Sequence, residues 1–495
     1  MAIRERALKT DGLLLAPAAY LSLLCLLSAL LSFFVWMGQS IRLDEAQSIW
    51  QTSRSLGGVL NVVAKDVHVP LYFIGLHFWE VAFGTSAAAL RLFSLVFFVL
   101  SVPAVFYLSL EAYSPRVAYV AALVTSVSPF MNWYGSEARM YSLMFLLAAL
   151  SHLLFIRLWK RPTADGWFWY SLVILLGLFT HLFFVFIAAV QVAFFAVRKE
   201  LFQKDALKRF LWLMAAAGAG YLAWFAYRYA AGAGLTNPVL ERPTTVDFFN
   251  VFSNFIIGFQ SDPVNTVFLS LWPLLVLVGF TFLARRRSRE PETAYLLAAS
   301  FVPVVLAFLV SATLQPIFLS RYLIICLPSL YILASFFLSS YRGWARSLAV
   351  GALAALLLAA LAAQAFDPSS PVKEDFRSAS AYVTAHATPS DLFVVSAPFI
   401  TYPVEYYYRG SASLQSFPRW DRFAKGKVAQ PYSEGALRQS LDTWSGVYGR
   451  LYLLMGYDQG YEEDLRLYMD KHYQRLEMVP FSPGLTLYVY KLRYP

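Results

Sequence analysis

Cysteine is almost missing from this chain. Its 495 residues contain two, Cys25 and Cys326, each inside an apolar run. Such a pair builds neither a disulfide framework nor a zinc site of paired spacing, and both thiols read as small buried hydrophobes. Charge is scarce as well: Asp, Glu, Lys and Arg make up 14% of the residues, against roughly a quarter in a soluble globular domain. The sequence also lacks a P-loop, a Gly-rich dinucleotide loop, GxSxG and HExxH. An enzyme built from it therefore shows no sign of a cytosolic nucleotide donor. Internal repeats and low-complexity tracts are absent too.

What is abundant is apolar length. Apolar runs fall near residues 12–36, 70–84, 88–110, 116–134, 138–158, 167–179, 181–198, 208–229, 264–284, 293–314, 319–340 and 343–364. A helix needs about 20 such residues to cross a bilayer, so the chain reads as a polytopic α-helical membrane protein. The formal net charge of +10 sits in short loops between these runs. They are "RERALK", "RLWKRP", "VRKELFQKDALKR", "ARRRSR" and "YRGWAR". Basic loops of this kind orient a membrane protein with those loops in the cytoplasm, which accounts for the charge without a nucleic-acid partner. The first run is too long for a signal peptide and reads as a retained span.

Counting back from "RLWKRP" puts "YGSEARMY" outside and "EAYSPR" inside. The run at 70–84 then begins and ends outside, and at about fifteen residues it is short for a crossing. It is expected to lie along the outer interface, leaving eleven true spans in a catalytic module of residues 1–365. Residues 366–495 change character. After the linker "DPSSPVKEDF", "SAYVTAHATPSDLFVVSAP" predicts a helix and a buried strand. "GRLYLLMGYDQ" predicts a second strand, "GYEEDLRLYMDKHY" a helix, and "GLTLYVYKLR" a last strand. An extracytoplasmic α/β domain follows.

With that topology the unusual polar residues gather at the outer ends of spans: Asp44, Glu45, Asp66, His68, Arg91, Glu137, Arg139, His181 and Arg321. Ionisable groups near membrane depth are costly and mark function by default. Each also has a plain structural reading. Asp44 and Glu45 in "GQSIRLDEAQSIW" suit a helix N-terminus, where the helix dipole favours acids. Asp66 and His68 are two candidate ligands for a divalent metal, short of a site. Glu137 and Arg139 can form a local ion pair, Arg321 can snorkel to an interface, and His181 can plug a break between two runs. The functional reading gives one acid the role of base and a guanidinium the role of phosphate clamp.

Several segments taken in order carry a family resemblance: "LDEAQSIW", "DVHVPLYF", "AALRLFS", "SPFMNWYGSEARMYSL" and "SRYLIICLP", followed by an outer α/β tail. Together they resemble the GT-C membrane glycosyltransferases. The nearest branch is the one holding protein O-mannosyltransferases and the lipid A aminoarabinose transferase (glycosyltransferase family 39-like). The resemblance is best over the first 160 residues. It implies an inverting transfer of a sugar from a polyprenyl-phosphate donor to a hydroxyl or amine of a lipid, glycan or protein acceptor. It further implies Asp44 as base with Glu45 beside it, and a substrate site holding Asp66, His68, Glu137, Arg139, Arg321 and His181. No cofactor is required, although a divalent metal near Asp44, Asp66 and His68 is compatible. Where the family has an HPPL-type stretch this chain has "HVPL", with Val69 in place of the first proline. The expected location is a bacterial inner membrane, with the N-terminus cytoplasmic and the active site outside. A transporter or flippase of lipid-linked sugars and an assembly subunit are the rival readings. A transporter tends to show repeats and broken spans at the midplane.

Overall fold

The computed structural model describes residues 16–33, 39–232, 240–270, 290–367, 374–422 and 429–492. The chain forms two compact units. The first comprises residues 1–37, 67–227 and 236–371, and the second comprises 38–66, 228–235 and 372–495.

The first unit is helical. Among the described residues six helices are long and apolar enough to cross a membrane: Ala87–Ala112, Tyr141–Lys160, Ala206–Ala230, Pro291–Thr313, Ser320–Ser339 and Gly343–Phe366. Shorter apolar helices accompany them, including Pro17–Ser32, Leu71–Phe83, Ala164–Thr180 and Phe184–Val197. The chain is a polytopic helical membrane protein with a C-terminal mixed sheet. The helix Leu71–Phe83 has 13 residues, about 20 Å of length at 1.5 Å per residue, well short of a hydrocarbon core of about 30 Å.

Two elements depart from the apolar-run reading. The run at 116–134 is not one helix but two, Pro115–Val127 and Pro129–Gly135. Proline 129 has no N–H to continue the ladder and forces Ser128 out of the helical region, to ψ 123°. The Ser128 hydroxyl caps the second helix at Met131 N and meets Tyr331 Oη at 2.6 Å. The helix Thr245–Ile257 lies between two expected spans and was not among them. The expected run at 264–284 is described only as the helix Asp262–Ser270; its remainder, the loops "RERALK" and "ARRRSR", and most of the linker "DPSSPVKEDF" lie outside the described residues.

Two charged clusters mark opposite ends of Tyr141–Lys160. At its C-terminal end Glu111 accepts from Arg157 at 3.2 Å and from Arg161, and Lys160 pairs with Glu292 at 2.7 Å. The turn after Ala112 and the segment 157–161 therefore share one end of the bundle. Arg139 precedes the other end, a helix length of 20 residues or about 30 Å away. Between Thr180 and Phe184 the chain reverses. Gly177 permits this, because a Cβ there would stand 2.3 Å from the Phe184 ring.

The second unit is built on a five-stranded sheet of order β2-β1-β3-β5-β4. The strands are β1 Leu392–Ser396, β2 Ser413–Ser416, β3 Arg450–Gly456, β4 Gln474–Ser482 and β5 Leu485–Lys491. β1 pairs parallel with β2 and β3, whereas β5 runs antiparallel to β3 and β4. Period-two alternation splits the core into two faces. Phe393, Val395, Tyr452, Leu454, Leu487 and Val489 bury one face under helices Phe376–His386 and Thr401–Tyr407. Leu392, Val394, Leu451, Leu453 and Met455 bury the other under Glu434–Val447 and Glu462–His472. The predicted strands at β1, β3 and β5 and helices Phe376–His386 and Glu462–His472 are present. β2 and β4, at the edges, were missed because neither has a buried residue that would mark a core face.

Leu454 is fully buried, so Leu454→Ala should cost about 2–5 kcal/mol, read as an earlier unfolding transition of the purified full chain. Asp391 accepts from Nε and Nη2 of Arg450, at 3.0 and 2.7 Å. Burial raises its carboxyl pKa, but hydrogen bonds from Arg450 and Thr388 outweigh burial and hold it below the usual aspartate range. A lowered folded pKa stabilises above the unfolded value of about 3.9 and is lost as pH falls through the folded one. Melting curves of wild type and Asp391→Asn should therefore converge on acidification and stay apart at neutral pH.

Candidate functional site

In the second unit the stretch "LDEAQSIWQT" folds as the helix Leu43–Thr52. Its first turn carries Asp44 and Glu45, as the helix dipole favours. The two acids do different things. Glu45 is fully buried and its Oε2 accepts the Arg42 backbone N–H at 3.0 Å, satisfying an orphan donor ahead of the helix. Asp44 is half-exposed. Its charge reaches Tyr457 from the C-terminal sheet domain. Burial pushes the Tyr457 hydroxyl up, and Glu374 adds to that while Arg42 opposes it. Arg42 in turn pairs with Glu374 at 3.6 Å.

Asp66 closes over the same helix. Its Oδ2 accepts from Gln47 Nε2 and from Gln51 Nε2, both at 2.7 Å. The two glutamines are four residues apart and so share one helix face. Trp50 turns to the C-terminal domain, with its ring 5.1 Å from that of Tyr402 and the guanidinium of Arg54 4.3 Å from it.

In the first unit four of the expected residues meet. Arg139 Nη2 lies 3.0 Å from His68 Nε2. A guanidinium only donates, so the imidazole accepts there and carries its proton on Nδ1. His181 stands in the reversal between Ala164–Thr180 and Phe184–Val197. Its Nδ1 accepts the Phe183 N–H at 3.1 Å, which puts its proton on Nε2. Its electrostatic neighbours are His68, Arg139 and Arg321. Arg321 lies in the 3-10 turn Ser320–Cys326, 5.6 Å from the Tyr322 ring, and Tyr322 also packs 4.9 Å from His181.

The backbone around Arg139 is pinned. Ser94 donates to its carbonyl at 3.1 Å and bonds Tyr72 at 2.9 Å, while the Arg139 N–H returns to the Glu137 carbonyl. Glu137 is itself buried, and Arg91 is fully buried on Ala87–Ala112. The arrangement presents two guanidinium and two imidazole groups at one end of the helical unit. Such groups match the oxygens of a phosphate. Among the described residues no group of three or more His, Cys, Asp or Glu side chains is arranged to hold a metal ion.

Sequence reasoning missed Gln47, Gln51, Tyr322, Glu374 and Tyr457. The i, i+4 spacing of the glutamines was a readable signal. Glu374 and Tyr457 had none, since only folding sets them beside Arg42.

No protein-family model and no curated protein sequence matches the chain. Solved structures do. ArnT from Cupriavidus metallidurans in the apo state aligns over 97% of this chain and 99% of its own, at 12% identity and a TM-score of 0.63. The same protein bound to undecaprenyl phosphate aligns over 97% and 100%, at 12% identity and 0.62. The oligosaccharyltransferase AglB from Archaeoglobus fulgidus, in complex with an inhibitory peptide and a dolichol-phosphate, aligns over 95% and 74%, at 12% identity and 0.50. The chain shares its fold with these proteins.

Asp66→Ala leaves the Gln47 and Gln51 amides without their carboxylate. Because Gln51 is fully buried, the loss should be about 1–3 kcal/mol, seen as a lowered melting temperature whether or not substrate is present.

Proposed function

We propose that this protein is a membrane glycosyltransferase that moves a sugar from a polyprenyl-phosphate donor to a hydroxyl or amine, with inversion, on the outer face of a bacterial inner membrane. The observation that carries this reading is a fold shared along almost the full chain with a protein solved bound to undecaprenyl phosphate. Supporting it, His68, Arg139, His181 and Arg321 cluster at one end of the helical unit, in a chain otherwise poor in charge. Reading the basic segment "RLWKRP" as cytoplasmic supports an outer position for that end.

In the proposed reaction Asp44 takes the proton of the acceptor hydroxyl or amine. The acceptor atom attacks the anomeric carbon from the face opposite the phosphate. The bond between that carbon and the phosphate oxygen breaks, and its electron pair leaves with the polyprenyl phosphate. Arg321 and Arg139 stabilise the charge that develops there. His68 orients Arg139 through the 3.0 Å hydrogen bond, and His181 has both arginines as electrostatic neighbours. Glu45 holds the start of the Asp44 helix, and Asp66 braces the helix through Gln47 and Gln51. Glu137 shapes the turn that presents Arg139.

Loss of a positioned general base typically costs 10²- to 10⁴-fold in rate. Asp44→Asn, purified beside wild type, should show that loss against a panel of radiolabelled polyprenyl-phosphate sugars with a membrane extract as acceptor. Wild type should release free polyprenyl phosphate and label an acceptor. Undiminished transfer by well-folded Asp44→Asn would remove Asp44 as base. If wild type moved no label but carried donors across vesicle membranes, the transport reading would take over.

A further inference from the structure

The C-terminal part of the second unit contains a cleft of about 690 Å³ whose walls include Glu405, Gln415, Arg419, Trp420, Asp421 and Arg422. That size falls within the usual range of ligand pockets, about 300–1,000 Å³. None of these residues takes part in the transfer chemistry above. They come from three places: helix Thr401–Tyr407, strand β2, and the loop after it.

The chemistry of the walls is specific. Among the described lining residues two acids and two arginines leave no formal net charge. Arg422 spends its fork on Glu405, with Nη1 and Nη2 at 2.7 and 2.6 Å from the two carboxylate oxygens. The described walls therefore hold no surplus positive charge of the kind that a phosphate or another free anion needs. It offers instead a half-buried Trp420 ring beside planar amide, carboxylate and guanidinium groups. A sugar ring has just the complementary surface, with a C–H face that packs on an aromatic ring and a rim of hydroxyls that bond in pairs to planar polar groups.

The aromatic wall is tied to the helix that carries Asp44. Trp420 packs edge-on against Tyr402 at 5.4 Å, and Tyr402 meets Trp50 at 5.1 Å. Arg422 lies 5.0 Å from the Trp50 ring and 5.4 Å from that of Tyr402. Trp50 stands six residues beyond Asp44 on Leu43–Thr52, about 9 Å along the axis.

We propose that this cleft is a carbohydrate-binding subsite that holds a neutral glycan. Naming that glycan as part of the acceptor rests on the transferase reading; its binding does not. The subsite gives the outer domain a role in substrate choice. It also couples glycan occupancy to the position of the helix bearing Asp44 through Tyr402 and Trp50.

The test uses the full chain in a detergent without a sugar headgroup. Saturation-transfer NMR would be recorded with short neutral mannan, galactan and glucan fragments, and in parallel with a uronic-acid and a phosphorylated oligosaccharide. At least one neutral fragment should bind. Trp420→Ala should weaken it by about ten-fold or more, and Trp420→Phe should keep most of the affinity, with both variants melting near wild type. Asp44→Asn should bind the same fragment as wild type does, so that a failure of the transferase reading leaves this result standing. Binding of no oligosaccharide, binding of the charged fragments alone, or unchanged affinity in Trp420→Ala would each overturn the proposal.

Discussion

The hydrogen bond between the Arg139 guanidinium and the His68 imidazole sets the character of the helical unit. A buried charge is expensive unless its surroundings are arranged around it. Here the arrangement is visible in detail. Ser94 and Tyr72 hold the backbone, the donor-only chemistry of the guanidinium dictates the imidazole tautomer, and His181 and Arg321 complete the cluster. The break between Thr180 and Phe184 exists at the same place, with Gly177 making room for the reversal. His181 and Arg321 both stand in such irregular backbone, one at the reversal and the other in the 3-10 turn Ser320–Cys326.

The second unit solves a different problem. The short helix Leu43–Thr52 is too small to be stable by itself. It is held by contacts of three kinds: Glu45 on the Arg42 N–H, Asp66 on Gln47 and Gln51, and Trp50 on Tyr402. The last of these comes from the C-terminal domain, as does the Arg42–Glu374 pair. The acids that look like twins in the sequence are thereby separated in role. One is consumed by helix capping, and the other is left half-exposed. A sheet covered by helices on both faces gives this helix a rigid support, and rigid support is what positions a chemical group well.

Length, charge scarcity and apolar periodicity were enough to read the helical membrane class, the sheet domain with β1, β3 and β5, and the short helix at 71–83. Those features rest on local patterning, which the bilayer and the sheet impose on every residue of a span or a buried strand. The ordered segments from "LDEAQSIW" to "SRYLIICLP" pointed to a group of membrane transferases, and the chain shares its fold with ArnT. The division of 116–134 into two helices was also legible in Pro129, although run length hid it.

Other features were decided only by tertiary structure. Edge strands β2 and β4 gain their conformation from a neighbour's backbone, and neither buries a residue that would mark a core face. Glu374, Tyr457 and Tyr402 stand more than 300 residues from the helix they brace, and no spacing rule reaches that far. The meeting of His68, Arg139, His181 and Arg321 is of the same kind. The sequence marks each as a polar residue in an apolar setting, whereas their convergence depends on how separate helices pack and where the chain reverses between them.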